Sequence, residues 1–432
     1  MSLEILSWCV QMTFEGLYKK AGNSSSQDYS TFSKNDPLEF NFLLIRNSGN
    51  ITAIVSCDFL YAGKQILQLC RKILKNIVDP NLIFLFASHT HNAPLIDPTK
   101  YRLGVFSTEL FSKISNLVEL ESTKALNKSE WQKILRIEYC ESHPKLGARR
   151  RYTNKLLKKF GLLSAKSGIS DEQYPSSLIC VKFFNEEGKL SNVVWTFNCH
   201  PVGLSHEIDF SSHYIGVIRK SVRKNNPNLS VIFIQGFSGD IRPSSSSTNK
   251  PNNKFIKRIF YGKGYSDFSL KDYIEWVGNL KAHFETMQEK QVKYFEDLSF
   301  VRTKVTKVPV NNFFRVKSKC ESLVPNFVEL MEIDFGNYLR IFGINGEIVS
   351  TYIEKFESFT APENVIYGSC MNHVIGYFPD DKMISEGGYE SRTSCKFFNL
   401  KPPKLGLENR LIMEYRKLNS LYETEKSTNY AD

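Results

Sequence analysis

The sequence predicts an α/β core, and three observations carry that reading. Apolar β-rich runs are separated by turn-forming residues, one such run is followed by a helix-period segment and a further strand, and several strands end in polar clusters. Residues 40–45 and 51–58 are the first pair of strands, joined by Asn47-Ser48-Gly49-Asn50 as a hairpin. Residues 64–76 carry apolar side chains at helical spacing, and the apolar run 82–86 returns as a buried strand. That strand runs straight into Ser88-His89-Thr90-His91. Residues 178–184 and 192–197 read as two more strands around the turn-like stretch 185–188, the second ending at Asn198-Cys199-His200-Pro201. A further strand at 229–235 ends in Gly236-Phe237-Ser238-Gly239-Asp240, and one at 337–342 ends in Gly343-Ile344-Asn345-Gly346-Glu347. In α/β proteins reactive groups collect beyond the carboxyl ends of strands, so these polar endings are candidate site positions.

Composition narrows the class. With 432 residues, 41% hydrophobic, 13% aromatic and 23% charged, the chain can bury a large core and is unlike disordered, coiled-coil or collagenous sequences. The net charge of +11 favours anionic surroundings, but lysines are spread along the whole chain and no nucleic-acid motif accompanies them, so no nucleic-acid partner is expected. Nine cysteines, without a CxxC pair and several inside apolar runs, read as reduced, mostly buried thiols. The first twenty residues lack a basic region and a small-residue cleavage site, and the apolar runs are too short to span a bilayer. The expectation is therefore a protein that is cytoplasmic, or exported without a recognisable signal peptide, with no transmembrane segment. The stretch 254–261, basic and aromatic, is either a peripheral membrane contact or a solvated face, and 244–253 reads as a surface loop.

Scattered His, Glu and Tyr at strand ends are what a catalytic metal site is assembled from. Zinc takes neutral imidazoles and carboxylates and leaves a position for water, whose pKa it lowers. On a strand, His89 and His91 at i and i+2 would point the same way, one toward a metal and the other beside it; ordinary packing or surface roles are the alternative for such a pair. Glu347 is equally placed to open a helix as a first-turn carboxylate, and Tyr377 to be an ordinary buried tyrosine. His143, His206, His213, His283 and His373 carry no motif, although His206 and His213 follow His200 closely.

Four ordered segments bring a family into view. Ser88-His89-Thr90-His91-Asn92-Ala93-Pro94 resembles the THTHxGP segment of neutral/alkaline non-lysosomal ceramidases, and Phe197-Asn198-Cys199-His200-Pro201 resembles their second histidine motif. Gln235-Gly236-Phe237-Ser238-Gly239-Asp240-Ile241-Arg242-Pro243 is similar to their QGxxGDVSP segment, and Gly376-Tyr377-Phe378-Pro379 through Glu386-Gly387-Gly388-Tyr389-Glu390 is similar to their late tyrosine motif. The likeness spans roughly residues 40 to 390. It implies a zinc-dependent amidase acting on an N-acylated lipid or small molecule, with the mixed-sheet catalytic domain in residues 1–400 and a C-terminal helix and polar tail in 401–432. By the same resemblance His89, His200, Glu347 and Tyr377 are the zinc ligands, while His91, Arg150 and Tyr389 stabilise an oxyanion or move protons. Asp240 either orients a histidine or shapes the loop.

The sequence departs from that pattern in three ways. Arg242 stands where ceramidases carry the serine of GDVSP; a guanidinium cannot replace a hydroxyl as nucleophile but can clamp a carboxylate or phosphate of a substrate. Only a short stretch follows Glu390, so the expected architecture lacks the extra C-terminal β domain of typical members. The amino-terminal DxT motif is not evident. These departures leave open a more polar N-acyl or ester substrate, or a non-catalytic ligand-binding relative.

Overall fold

In the computed structural model, the described residues are 2–22, 29–152, 166–167, 173–174, 176–204, 209–244, 268–290, 292–296, 298, 300–336, 338–359 and 364–428. His206, the stretch 254–261 and most of the loop 244–253 lie outside them.

The first half of the chain supplies β1 (Leu3–Met12), β2 (Leu38–Asn47), β3 (Asn50–Cys57), α1 (Gly63–Leu74), β4 (Ile83–Ala87), α2 (Thr108–Lys128), β5 (Gln132–Ser142), β6 (Gly147–Arg149), β7 (Leu178–Asn185) and β8 (Leu190–Phe197). There follow α3 (Tyr214–Val222), β9 (Val231–Gln235), β10 (Ile241–Pro243), α4 (Leu270–Lys290), β11 (Val292–Phe295), β12 (Val301–Pro309), β13 (Phe327–Phe335) and β14 (Leu339–Ile344). The last elements are β15 (Glu347–Ile348), α5 (Tyr352–Glu357), β16 (Val365–Gly368), β17 (Tyr377–Phe378), α6 (Asp381–Glu386) and α7 (Leu407–Thr428).

A nine-stranded mixed sheet runs β9-β8-β7-β5-β1-β2-β3-β4, with β11 added beside β5. The predicted β2–β3 hairpin is antiparallel with Asn47 opposite Asn50, and β3–β4 and β8–β9 are parallel pairs. β1, which the sequence reading did not assign, sits in the middle of this sheet between β5 and β2. A second sheet of four strands runs β12-β13-β14-β16. The period-two alternation of β1 and β2 sends Leu3, Ile5, Leu43 and Ile45 to one face, where they meet Met331, Ile333, Phe335 and Ile341 of the smaller sheet. The opposite face of the large sheet is covered by α1 and α2 on one side, through Ile66, Cys70, Ile114 and Val118, and by α3 and α4 on the other, through Ile215, Trp276 and Phe284. α7 packs against the small sheet, with Tyr415 stacked on Phe356 at 3.9 Å between ring centres.

The two sheets are joined at one edge by residues 368–372. Gly236 bridges Gly368, Phe86 bridges Met371, and Ala87 N donates to the carbonyl of Cys370 at 3.1 Å. This seam places the carboxyl ends of β4, β9 and β14 side by side, so side chains far apart in sequence converge. All nine cysteines are free thiols, and all but Cys9 and Cys320 are buried, as their apolar contexts predict.

Candidate metal centre

His89 and His200 reach the same point from the ends of β4 and β8. The His-Thr-His segment lies just beyond the strand, not on it, so its histidines are aimed by loop geometry and not by strand alternation. His89 has φ +63°, a left-handed conformation seldom adopted by a residue with a Cβ, and is held there by its N–H to the Phe59 carbonyl at 2.9 Å. Its Nδ1 lies 3.0 Å from the Leu60 carbonyl, so as an N–H donor it leaves Nε2 as the free lone pair. His200 is fixed the same way, with Nδ1 at 2.7 Å from the Ser238 carbonyl and 3.1 Å from that of Ile241. The carbonyls that orient His200 thus belong to the glycine-rich segment after β9.

Glu347 enters from just beyond β14 of the small sheet. It does not open a helix: it begins β15 and pairs in register with Tyr377 of β17. Its Oε2 lies 3.4 Å from His89 Nε2 and 3.5 Å from His200 Nε2. His89, His200 and Glu347 are each only 2% exposed. The rings of His89 and His91 are 5.1 Å apart and those of His89 and His200 4.8 Å, and one ligand atom from each of these three histidines falls within 4.8 Å of the others. His91, expected beside a metal, therefore joins the imidazole group itself.

His89 Nε2, His91 Nε2, His200 Nε2 and Glu347 Oε2 are all buried and without a hydrogen-bond partner. Leaving one buried polar atom unsatisfied costs about 1–3 kcal/mol, and four facing one another is the signature of a site for a cation. Nitrogen and carboxylate donors of this kind suit zinc. Burial, reinforced by His89 and His200, holds His91 well below the ordinary imidazole range, and burial with Arg150 nearby takes His200 down to about 4. Both imidazoles are thus held neutral, with a lone pair available, at physiological pH. For His89, burial is outweighed by Cys370 and Glu347 and the pKa rises; for Glu347, burial is outweighed by His89 and His200 and the pKa falls well below normal. The carboxylate is thus ionised and attracts positive charge.

Above this group lies a cationic and phenolic rim. Arg150 donates from Nε to Glu390 at 2.9 Å and from Nη2 to the Gly239 carbonyl and to the Tyr377 hydroxyl at 3.0 Å, with its guanidinium 4.8 Å from the centre of the Tyr389 ring. Neighbouring Arg151 binds Glu390 at 2.6 Å, whereas Arg149 lies over Tyr174 and 3.9 Å from Asp240. Of the three adjacent arginines, Arg150 is the one in contact with Tyr377. Burial pushes the Tyr389 phenol up to about 12 despite Arg150, so it stays protonated, and able to donate a hydrogen bond, at neutral pH. Tyr377 is likewise buried and raised.

Asp240 orients neither histidine directly. Its carboxylate accepts from Ser350 N at 2.7 Å and Ser350 Oγ at 3.1 Å, while its carbonyl accepts from Arg150 N at 2.9 Å, so it ties the loop after β9 to Arg150 and to the start of α5. Arg242, on β10 opposite Ala148, is close enough to lower the His91 pKa electrostatically. His143 and His283 are exposed, His373 lies 3.1 Å from Thr99, and His213, buried against Tyr214 and Tyr273, is brought down to about 3. None of these four joins the imidazole group. Two residues in the centre carry no earlier assignment. Glu390 holds Arg150, and its place beside Tyr389 in the late motif was the available signal. Tyr61 donates its hydroxyl to Glu347 Oε1, and nothing in its local sequence marks it.

No family model and no curated protein sequence matches the chain. Solved structures do: the neutral ceramidase of Pseudomonas aeruginosa superposes with a TM-score of 0.73 at 13% identity, covering 98% of this chain and 75% of that one. The chain has the neutral ceramidase fold. A ceramidase complexed with C2 matches with a TM-score of 0.70 at 12% identity, covering 98% of this chain and 76% of the other. The mixed α/β architecture inferred from the four motifs is therefore the observed one. Among the described residues no helix is long and apolar enough to cross a membrane.

Proposed function

We propose that the chain is a zinc-dependent hydrolase that cleaves an amide (N-acyl) bond, ceramidase-like, releasing a fatty acid and an amine such as sphingosine. The observation that carries this reading is the convergence of four buried, partnerless ligand atoms, on His89, His91, His200 and Glu347, within the neutral ceramidase fold. His89, His200 and Glu347 would hold the ion, with Tyr377, in register beside Glu347, completing the set and His91 next to it. When bound, zinc supplies Lewis acidity, polarising an acyl carbonyl and making water more acidic.

The protein's own groups then do the rest. Arg150, held by Glu390 and the Gly239 carbonyl, presents fixed positive charge where negative charge develops on the carbonyl oxygen. Tyr389, protonated at neutral pH, donates to the same oxygen. His91, whose neutral Nε2 is free to accept, would take a proton from the water that attacks the acyl carbon and pass it to the amine nitrogen as the C–N bond breaks. Asp240 acts at one remove by fixing Ser350 and the backbone of Arg150. A more polar N-acyl or ester substrate is the second reading, favoured by Arg242, whose guanidinium near His91 suits an anionic head group.

The test is release of free fatty acid from N-acyl sphingosine and from simpler neutral and anionic N-acyl amines. Wild-type hydrolysis that disappears in His89→Ala and Glu347→Ala supports the proposal. Zinc bound without turnover of any substrate in the panel contradicts it and leaves a ligand-binding relative.

A further inference from the structure

The segment after β3 touches two candidate ligands at once. Cys57 and Phe59 give their carbonyls to the N–H groups of Ser88 and His89, at 2.8 and 2.9 Å, and Leu60 gives its carbonyl to His89 Nδ1. The next residue, Tyr61, donates to Glu347 Oε1 of β15, its ring 5.2 Å from that of His89 and edge-on to Phe398. Burial, with Glu347 adding to it, raises the Tyr61 phenol well above its usual range, which keeps it a donor. The segment is itself anchored by charge. The Asp58 carboxylate receives Arg219 at 3.1 Å and the Glu39 N–H at 2.9 Å, and Arg219 and Arg223 also pair with Glu39.

Glu347 consequently has two inequivalent oxygens. Oε1 is occupied by the Tyr61 hydroxyl, while Oε2 is buried, partnerless and faces both histidines. We infer that Tyr61 is a positioning residue that makes Glu347 a one-oxygen ligand, reserving Oε2 for the metal and holding the carboxylate at the same loop that aims His89. This inference rests on the metal-site reading above. A carboxylate with both oxygens free can chelate through either or both; a buried phenol on one oxygen uses a lone pair there and favours binding through the other, which would keep the coordination number low and leave a position for substrate or water.

The test is zinc affinity by chelator competition, with the visible spectrum of the cobalt(II)-loaded protein, for wild type, Tyr61→Phe and Phe398→Leu. Phe preserves the ring and removes only the hydroxyl, and the melting temperature of the metal-free proteins checks folding. Loss of a hydrogen bond to a metal ligand weakens binding by about 10–100-fold, so Tyr61→Phe should bind zinc that much more weakly and show a weaker cobalt band as coordination expands. Phe398→Leu, which loosens packing around Tyr61 but keeps its hydroxyl, should retain affinity and spectrum. Unchanged zinc affinity and cobalt spectrum in Tyr61→Phe would overturn the inference while leaving the metal site standing. Equal weakening in both variants would overturn it in favour of packing. A wild-type chain that binds no zinc would overturn both readings together.

Discussion

His89, Glu347 and Arg150 show how single residues carry the site. His89 sits at φ +63° because the Phe59 and Leu60 carbonyls hold its backbone and ring, and such local strain persists where the surroundings over-determine it. Replacing Glu347 by Gln keeps the acceptor for Tyr61 and removes the charge, so Glu347→Gln should lose most of its zinc, read by metal analysis after dialysis, with little change in fold. Arg150 touches Tyr377 and Tyr389 but belongs to the rim and not to the imidazole group. Arg150→Met should therefore still take up one zinc per chain at saturating zinc, with affinity lowered by loss of the bond to Tyr377, while kcat falls about 100- to 1,000-fold, the usual loss for one oxyanion donor; failure to load zinc even at saturation would place Arg150 differently. The histidines were legible because they follow apolar runs within recognisable motifs. Tyr61 was not, since a lone tyrosine after a strand carries no pattern and its partner, Glu347, lies 286 residues away in the chain.

At the scale of elements, the site depends on tight crossings between the two sheets. A Cβ added at Gly236 would fall 1.8 Å from Asn198 Oδ1, and Gly236 also bridges Gly368 across the seam. Gly236→Ala should cost about 1–3 kcal/mol in denaturant unfolding, as overpacking does, and should displace the segment whose carbonyls orient His200. α7 is a second such element: Tyr415 is fully buried and stacked on Phe356, so Tyr415→Ala should cost about 3–5 kcal/mol. A loss under 1 kcal/mol would mean that the helix does not brace the small sheet. The β2–β3 hairpin, α1 and β4 were readable from turn residues and periodicity. The central place of β1 was not, because its neighbour β5 pairs Ile134 with Leu3 and only distant contacts set that order. Glu347 was ambiguous for the same reason: whether it opens a helix or a strand depends on Tyr377 arriving beside it.

For the molecule as a whole, buried charge outside the site gives a pH signature independent of metal. Glu332, between the small sheet and α7, is 1% exposed; burial outweighs Arg340 and raises its carboxyl from the usual glutamate range to about 7. A carboxyl whose folded pKa is raised favours the folded state while protonated. Between about pH 4.5 and 7 the folded protein holds the proton that the unfolded chain has released, so this group's contribution to stability falls as pH rises through that window, by up to about 3 kcal/mol. Unfolding measured at pH 5 and pH 8 should show Glu332→Gln gaining stability relative to wild type at the higher pH, and parallel curves would contradict this. The fold and the four motifs point to one central claim, a metal held between the two sheets by His89, His200 and Glu347. The most direct measurement is metal content of protein purified without added metal and then equilibrated with zinc, beside His89→Ala. One zinc per wild-type chain, absent from the variant, is the result predicted; a wild-type chain that takes up no zinc would contradict the claim and leave only the shared fold.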